Sequence, residues 1–205
     1  MQTRRFFATA ARWGLFVSLL LAYVLSFPGA ARAAAPADVP APAVNVERVE
    51  DAEGGKVYQI SASGTVTAPQ AVAWEVLTDY AHLADFVPDL KSARVLSRDG
   101  TRIIVEQQGA TRFLFFNRYI RLRVQVHEQA PDRIDVSLID GDMKVYRCRW
   151  QLVPSSGGGT TVLYQATLEP KFHVPRIIGT SLVRRDITAM MAAVFLRMET
   201  QAAAR

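Results

Sequence analysis

Cysteine is nearly absent: Cys148 is the only one among 205 residues. One thiol excludes an intrachain disulfide and a Cys-based structural zinc site, and in an alternating segment it reads as a small buried hydrophobe. Acidic residues are missing from the first 33 positions, which hold Arg4, Arg5, Arg12 and Arg32. The formal net charge of +5 therefore sits mostly at the front, and the rest of the chain carries 20 basic and 19 acidic side chains. That balance lacks the one-signed field of a nucleic-acid binder, so no nucleic-acid partner is expected.

Catalytic motifs are missing too. Nucleophilic hydrolysis would call for a Gly-x-Ser-x-Gly elbow, and none occurs. Gly157-Gly158-Gly159 lacks the Lys-Ser/Thr of a phosphate loop and reads as a hairpin. His82, His127 and His173 are scattered, with no pair at metal-ligand spacing. Glu106 is the one acid expected well inside a strand, and it shares a face with Ile104 and Gln108, which leaves both the inner and the outer face open. No catalytic residue, metal or cofactor is therefore assigned.

Long apolar runs are limited to one. About 15 residues from Trp13 to Phe27 follow the basic start and precede Ala31-Arg32-Ala33, the layout of a secretory signal. The run is short of the ~20 residues a membrane-spanning helix needs, so export with cleavage near Ala33 is expected over an uncleaved anchor. The expected division is a signal peptide at 1–33, an Ala/Pro-rich linker at 34–55 and one folded domain at 56–205, with a periplasmic location and an unknown oligomeric state. Hydrophobic residues at 50% against 21% charged are enough for that domain to bury a core.

Within the domain, alternation predicts a first strand over Lys56 to Val66, and Thr67-Ala68-Pro69 stops it. Pro69 suits the first turn of a short helix, with Thr67 or Ala68 near its cap. A second short helix, His82 to Val87, ends at Pro88. From there the period switches to two. Turn residues at Arg98-Asp99-Gly100, Ala130-Pro131-Asp132, Asp140-Gly141-Asp142 and Ser155 to Gly159, with a further break after Gln108, divide the chain into six further strands. A long helix over Arg176 to Ala203 closes the order, its apolar stripe carrying Leu182, Val183, Ile187, Met190, Met191, Val194 and Met198.

Trp74-Glu75-Val76-Leu77-Thr78-Asp79-Tyr80 followed by Phe86-Val87-Pro88-Asp89-Leu90 resembles the entry of the polyketide cyclase/coenzyme-Q-binding branch of the START-like (SRPBCC) superfamily. Gly141-Asp142-Met143, Trp150-Gln151-Leu152 and Arg184-Arg185-Asp186 fall where that branch places similar groups. The resemblance spans about Lys56 to Ala203. It implies an α+β helix-grip fold: a curved seven-stranded antiparallel sheet wrapped around the C-terminal helix, with two short helices after the first strand. It further implies a cavity for a hydrophobic small molecule such as a lipid, a quinone or isoprenoid, or a polyketide.

Period-two patterning independently sorts the faces. Ile120, Leu122, Val124 and Val126 fall on one side of their strand, as do Tyr146, Cys148, Trp150 and Leu152, and Val162, Tyr164, Ala166 and Leu168. The tyrosines and Trp150 combine apolar bodies with polar tips, which suits a pocket wall but equally an ordinary core. Together with Ile187 and Met191 of the last helix they are the candidate ligand-binding set. Phe113 and Phe115 join it from Phe113-Leu114-Phe115-Phe116, where apolar groups occupy both faces of what reads as one strand over Arg112 to Tyr119. That stretch is either core, the cavity end, or a surface in transient contact with a membrane or partner. Asp186 is either a solvated charge or a partner for an arginine that holds the helix. The expected function is a non-catalytic carrier or sensor; a cyclase/aromatase-type enzyme and an interaction domain without ligand are the alternatives.

Overall fold

The computed structural model describes residues 39–50, 54–113, 116–172, 174 and 176–205, with the side chains of 111–117, 176 and 177 left aside. The expected signal segment lies outside the described residues, as do Phe115 and the side chain of Phe113. Eight strands form one antiparallel sheet: β1 (Ala43–Glu50), β2 (Lys56–Val66), β3 (Leu90–Asp99), β4 (Arg102–Phe113), β5 (Phe116–Gln129), β6 (Arg133–Gly141), β7 (Met143–Pro154) and β8 (Thr160–Pro170). Their order across the sheet is β1-β2-β8-β7-β6-β5-β4-β3. Between β2 and β3 lie the helix α1 (Gln70–Thr78) and a 3-10 helix (Tyr80–Asp85), and α2 (Arg176–Ala203) ends the chain.

The helix-grip architecture is therefore present, with one strand more than the expected seven. The extra strand, β1, lies in the segment expected to be linker, and all eight of its residues pair with β2, from Ala43 opposite Ser63 to Glu50 opposite Lys56. Its alternating Val44 and Val46 face the core while Asn45 and Glu47 face water, so a short edge strand forms despite the Ala/Pro stretch before it.

Three local expectations change. Pro69 is itself the N-cap of α1, its carbonyl accepting from the Val72 and Ala73 N–H groups at 2.9 and 3.0 Å, while Thr67 is turned to another task described below. The second short helix starts at Tyr80 and is 3-10, not at His82. Arg112 to Tyr119 is not one strand: Phe113 ends β4 and pairs with Phe116, which begins β5, so this apolar run straddles a chain reversal.

The core follows from the strand pattern. Ile103, Val105, Val124 and Val162 are fully buried on the inner face, with Arg121, Arg149 and Gln165 on the outer. α2 crosses that inner face. Its C-terminal half is tightly seated: Met191, Phe195 and Met198 are 0% exposed, and Phe195 rests directly on Gly64 of β2, where a Cβ would come within 2.7 Å of its Cζ. Burying a ring of that size contributes on the order of 1.5–3 kcal/mol. Glu199, 6% exposed, accepts a hydrogen bond from the Thr67 backbone N–H at 2.5 Å and a second from the Thr67 hydroxyl, tying the end of α2 to the turn before α1. The helix is thus fixed at its C-terminal end, and its middle, from Asp186 to Val194, faces the open part of the sheet.

Candidate ligand cavity

Register explains why that part is open. Strands β6 and β7 pair only from Arg133 opposite Gln151 to Ser137 opposite Arg147, although the chain turns between them at Gly141 and Met143. Further register shifts occur at Arg123/Val124 and Met143/Val145. Such irregularities bend strands and increase twist. Beneath them lies a cavity of about 310 Å³ bounded by the inner faces of β4 to β8, by α1 and the 3-10 helix, and by Ile187, Met190 and Val194 of α2.

Four residues of the candidate set line it: Tyr146, Trp150, Tyr164 and Ile187. Met191 does not. It is fully buried against the sheet, one residue round the helix, and Met190 occupies the cavity wall in its place. Both sit in the same apolar stripe, and only the rotation of α2 about its axis, fixed by Phe195 over Gly64, selects between them. Leu77, Tyr80, Leu83 and Val87 form the opposite wall, which sequence patterning did not single out.

The polar groups inside are few, and apart from Asp186 and the exposed Asp89 they are uncharged. Trp150 and Tyr164 pack with ring centroids 4.6 Å apart, and the Tyr146 hydroxyl lies 3.9 Å from the Cys148 sulfur. Burial pushes the Cys148 thiol up to about 12. The Tyr146 phenol is raised well above its ordinary range by the neighbouring Cys148 and by burial, and that of Tyr164 by burial first. At neutral pH all three keep their protons, because ionising any of them would place a charge in a low-dielectric interior. At the far wall the Tyr80 hydroxyl donates to Glu128 Oε1 at 2.9 Å; Arg98 holds Glu128 from the other side at 3.1 Å.

The acids considered from sequence lie elsewhere or at the rim. Glu106 is on the outer face, where the Arg121 guanidinium pairs with it and holds its carboxyl below the usual range. Asp186 stands at the cavity edge and accepts from Arg185 Nε and Nη2 at 2.9 and 2.7 Å. Among the described residues no group of three or more His, Cys, Asp or Glu side chains is placed to hold a metal ion. His127 faces outward and His82 bonds Asp79 at 2.7 Å on the surface.

A second, larger hollow of about 550 Å³ lies on the outer face of the sheet. Gln59, Gln125, Arg147, Arg149 and Gln165 dominate it, and Arg149 is already paired with Asp135 at 2.6 Å. It is an open groove rimmed by polar and charged side chains, and it encloses a guest less than the inner cavity does. The inner cavity, at the small end of the ~300–1,000 Å³ typical of ligand pockets, is the candidate site.

Comparison with known proteins agrees with this geometry. No curated protein matches the chain by sequence. Among solved structures, a START superfamily protein from Mycobacterium smegmatis superposes with a TM-score of 0.61 at 18% identity, covering 69% of this chain and 97% of the other. A STAR-related lipid transfer protein from Xanthomonas axonopodis gives 0.56 at 19%, covering 75% and 98%. The Zhui aromatase/cyclase from Streptomyces sp. R1128 gives 0.52 at 12%, covering 72% and 92%. At these identities the likeness is one of fold. The family model for polyketide cyclase/dehydrase and lipid transport matches residues 66–195, a span that runs from the end of β2 through the seated part of α2 and takes in most of the cavity wall. With more than half of its length matched, the chain belongs to the polyketide cyclase/dehydrase and lipid transport family.

Proposed function

We propose that the protein is a periplasmic, non-catalytic carrier or sensor for a hydrophobic small molecule held between the sheet and α2. One observation carries the reading: α2 is clamped at its C-terminal end and leaves an apolar hollow under its middle, from Asp186 to Val194, walled by aromatic and aliphatic side chains. Burial of apolar ligand surface at about 25 cal/mol per Å² supplies affinity there without chemistry, less the cost of association. The polar groups within reach of a guest, Tyr146, Cys148 and Tyr164, are held protonated and so offer hydrogen bonds in place of a base or nucleophile. The basic start, apolar run and Ala-rich end of the first 33 residues support export to the periplasm.

The convergence of two phenols and a thiol in the same cavity favours a second reading, a cyclase that orients a reactive chain by shape and by neutral hydrogen-bond donors. One experiment separates the two. Protein isolated from the periplasm is extracted with organic solvent and the extract identified by mass spectrometry, with N-terminal sequencing of the mature chain. A lipid or isoprenoid recovered intact at near one per chain, from a chain starting close to Ala34, is the expected result. A cytoplasmic chain with an intact N-terminus that converts a linear poly-β-keto thioester to a cyclised product overturns it.

A further inference from the structure

Two smaller hollows continue from the cavity toward the start of α2. The first, about 130 Å³, is apolar and shares Ile120, Met143, Asp186 and Ile187 with the main cavity. The second, about 240 Å³, shares Tyr58, Pro170, Phe172 and Val174 with the first, and its other walls are Arg48, Lys56, Lys171 and the Lys144–Glu169 pair at 2.8 Å. The path thus runs from grease to positive charge.

The charge there is unmatched. Lys144 and Glu169 neutralise one another, while Arg48, Lys56 and Lys171 make no ion pair with any acid among the described residues. The Nε and Nη1 atoms of Arg48 are buried with no hydrogen-bond partner, and its guanidinium carbon lies 5.5 Å from the centre of the Tyr58 ring. Arg123 and Arg133 also have a buried Nε without a hydrogen bond, yet each has an acid within 3.2 Å; Arg48 has none among the described residues. Tyr58, 2% exposed, adds a buried hydroxyl with no partner, seated over Gly179 of α2, where a Cβ would come within 3.1 Å of its ring and closer to its oxygen. Buried donors left in this state are costly unless something accepts from them.

Register connects the two ends. Arg48 is opposite Tyr58, Tyr58 opposite Leu168, and Leu168 opposite Tyr146, one continuous row on the inner face from the edge strand to the cavity. Asp186 at the junction repels an anion placed midway, although Arg185 offsets part of its charge. We propose that the ligand is an amphipathic anion: a carboxylate or phosphate head takes its hydrogen bonds from Arg48 and the Tyr58 hydroxyl and its charge balance from Lys56 and Lys171, and an apolar chain runs past Ile120 and Met143 into the main cavity. The inference rests on the carrier reading and adds the polarity and position of the head.

The test titrates the purified full chain with oleate, oleyl phosphate and oleyl alcohol, following the fluorescence of Trp150 and its neighbours and confirming by calorimetry. At least one of the two anions is expected to bind tenfold or more tightly than the alcohol, a difference of about 1.4 kcal/mol. The preferred anion identifies the head as carboxylate or phosphate. Arg48→Met is expected to cut the anion preference to threefold or less while leaving alcohol affinity unchanged and the ligand-free thermal midpoint unchanged or raised; if that variant does not fold, Lys56→Gln with Lys171→Gln, at two exposed positions, is expected to cut the anion preference likewise. Raising salt from about 50 to about 500 mM is expected to weaken only the anions. Equal affinity for all three, or an anion preference untouched by the variants, overturns the head assignment and leaves the cavity reading standing. Failure of all three to bind overturns both.

Discussion

Gly64 and Phe195 form the contact that decides where α2 sits, and replacing Gly64 by alanine tests it with two opposing terms. The added Cβ would lie within 2.7 Å of Phe195 Cζ, about 1 Å inside ordinary carbon–carbon contact, and the ring is fully buried with nowhere to swing. Overpacking of that order costs roughly 1–3 kcal/mol. Against it stands a gain of about 0.4–1 kcal/mol, since alanine has fewer unfolded conformations to lose and Gly64 does not hold a positive φ that alanine would resist. The steric term wins, leaving a net loss of about 1–2 kcal/mol. Thermal unfolding followed by circular dichroism should show the midpoint fall by roughly 2–8 °C for a domain of this size. Phe195→Leu alone also destabilises, because it leaves a cavity, but it clears the space above Gly64. In that background Gly64→Ala should cost nothing or stabilise, a coupling of about 1 kcal/mol or more. A Gly64→Ala protein as stable as the parent, or two substitutions that simply add, would falsify the claim that this contact seats the helix.

Other consequences follow from the same structure. Glu199→Ala removes the carboxylate that accepts both Thr67 bonds, so a loss of about 1–3 kcal/mol is expected in denaturant unfolding, with Glu199→Gln costing less than half of that; equal and negligible effects would dismiss the clamp. Alkali should destabilise the fold. Cys148 is raised from 9.0 to about 12, and Tyr80, Tyr146 and Tyr164 are raised above 10.0, so the folded chain keeps protons that the unfolded chain releases. Stability is then complete below pH 9 and declines as pH rises from about 9 toward 12, each group adding up to ~1.4 kcal/mol per pH unit; a thermal midpoint unchanged between pH 8 and pH 11 would refute the burial of these groups. Cys148, buried and protonated, should resist maleimide at pH 7.5 in the folded protein and react fully in denaturant, and rapid labelling of the folded chain would mean that the cavity opens to water.

How far the site was legible depends on which physical rule placed each residue. Tyr146, Trp150 and Tyr164 were found because a β-strand has a strict period of two: once Cys148 and Leu152 face inward, so do they, and their register opposite Leu168 and one another follows. Met190 was missed in favour of Met191 because helical periodicity gives a stripe about two residues wide and not the rotation of the helix about its axis. Arg48 was missed for another reason. The Val44-Val46-Arg48 alternation was available, but a single row of eight residues after an Ala/Pro stretch carries too little pattern to distinguish an edge strand from a linker, and only the partner strand β2 makes it one. Phe113 and Phe116 misled in the opposite direction. A run of apolar residues looked like a two-faced strand, when it marks the place where β4 gives way to β5.

The amino-acid sequence by itself determined the order of the main elements from β2 to α2 and the inward face of β5, β7 and β8, because turn residues and side-chain periods are local properties of the chain. It also pointed to an apolar inner face on those strands. Tertiary structure alone decided that a hollow remains. Phe195 meeting Gly64 across 131 residues of chain pins the end of α2, and β6 and β7 part beyond Ser137 beside the cavity that the middle of α2 covers. Whether two apolar surfaces close on each other or stand apart is set by long-range steric fit, and the hollow and its basic end exist only because they stand apart here.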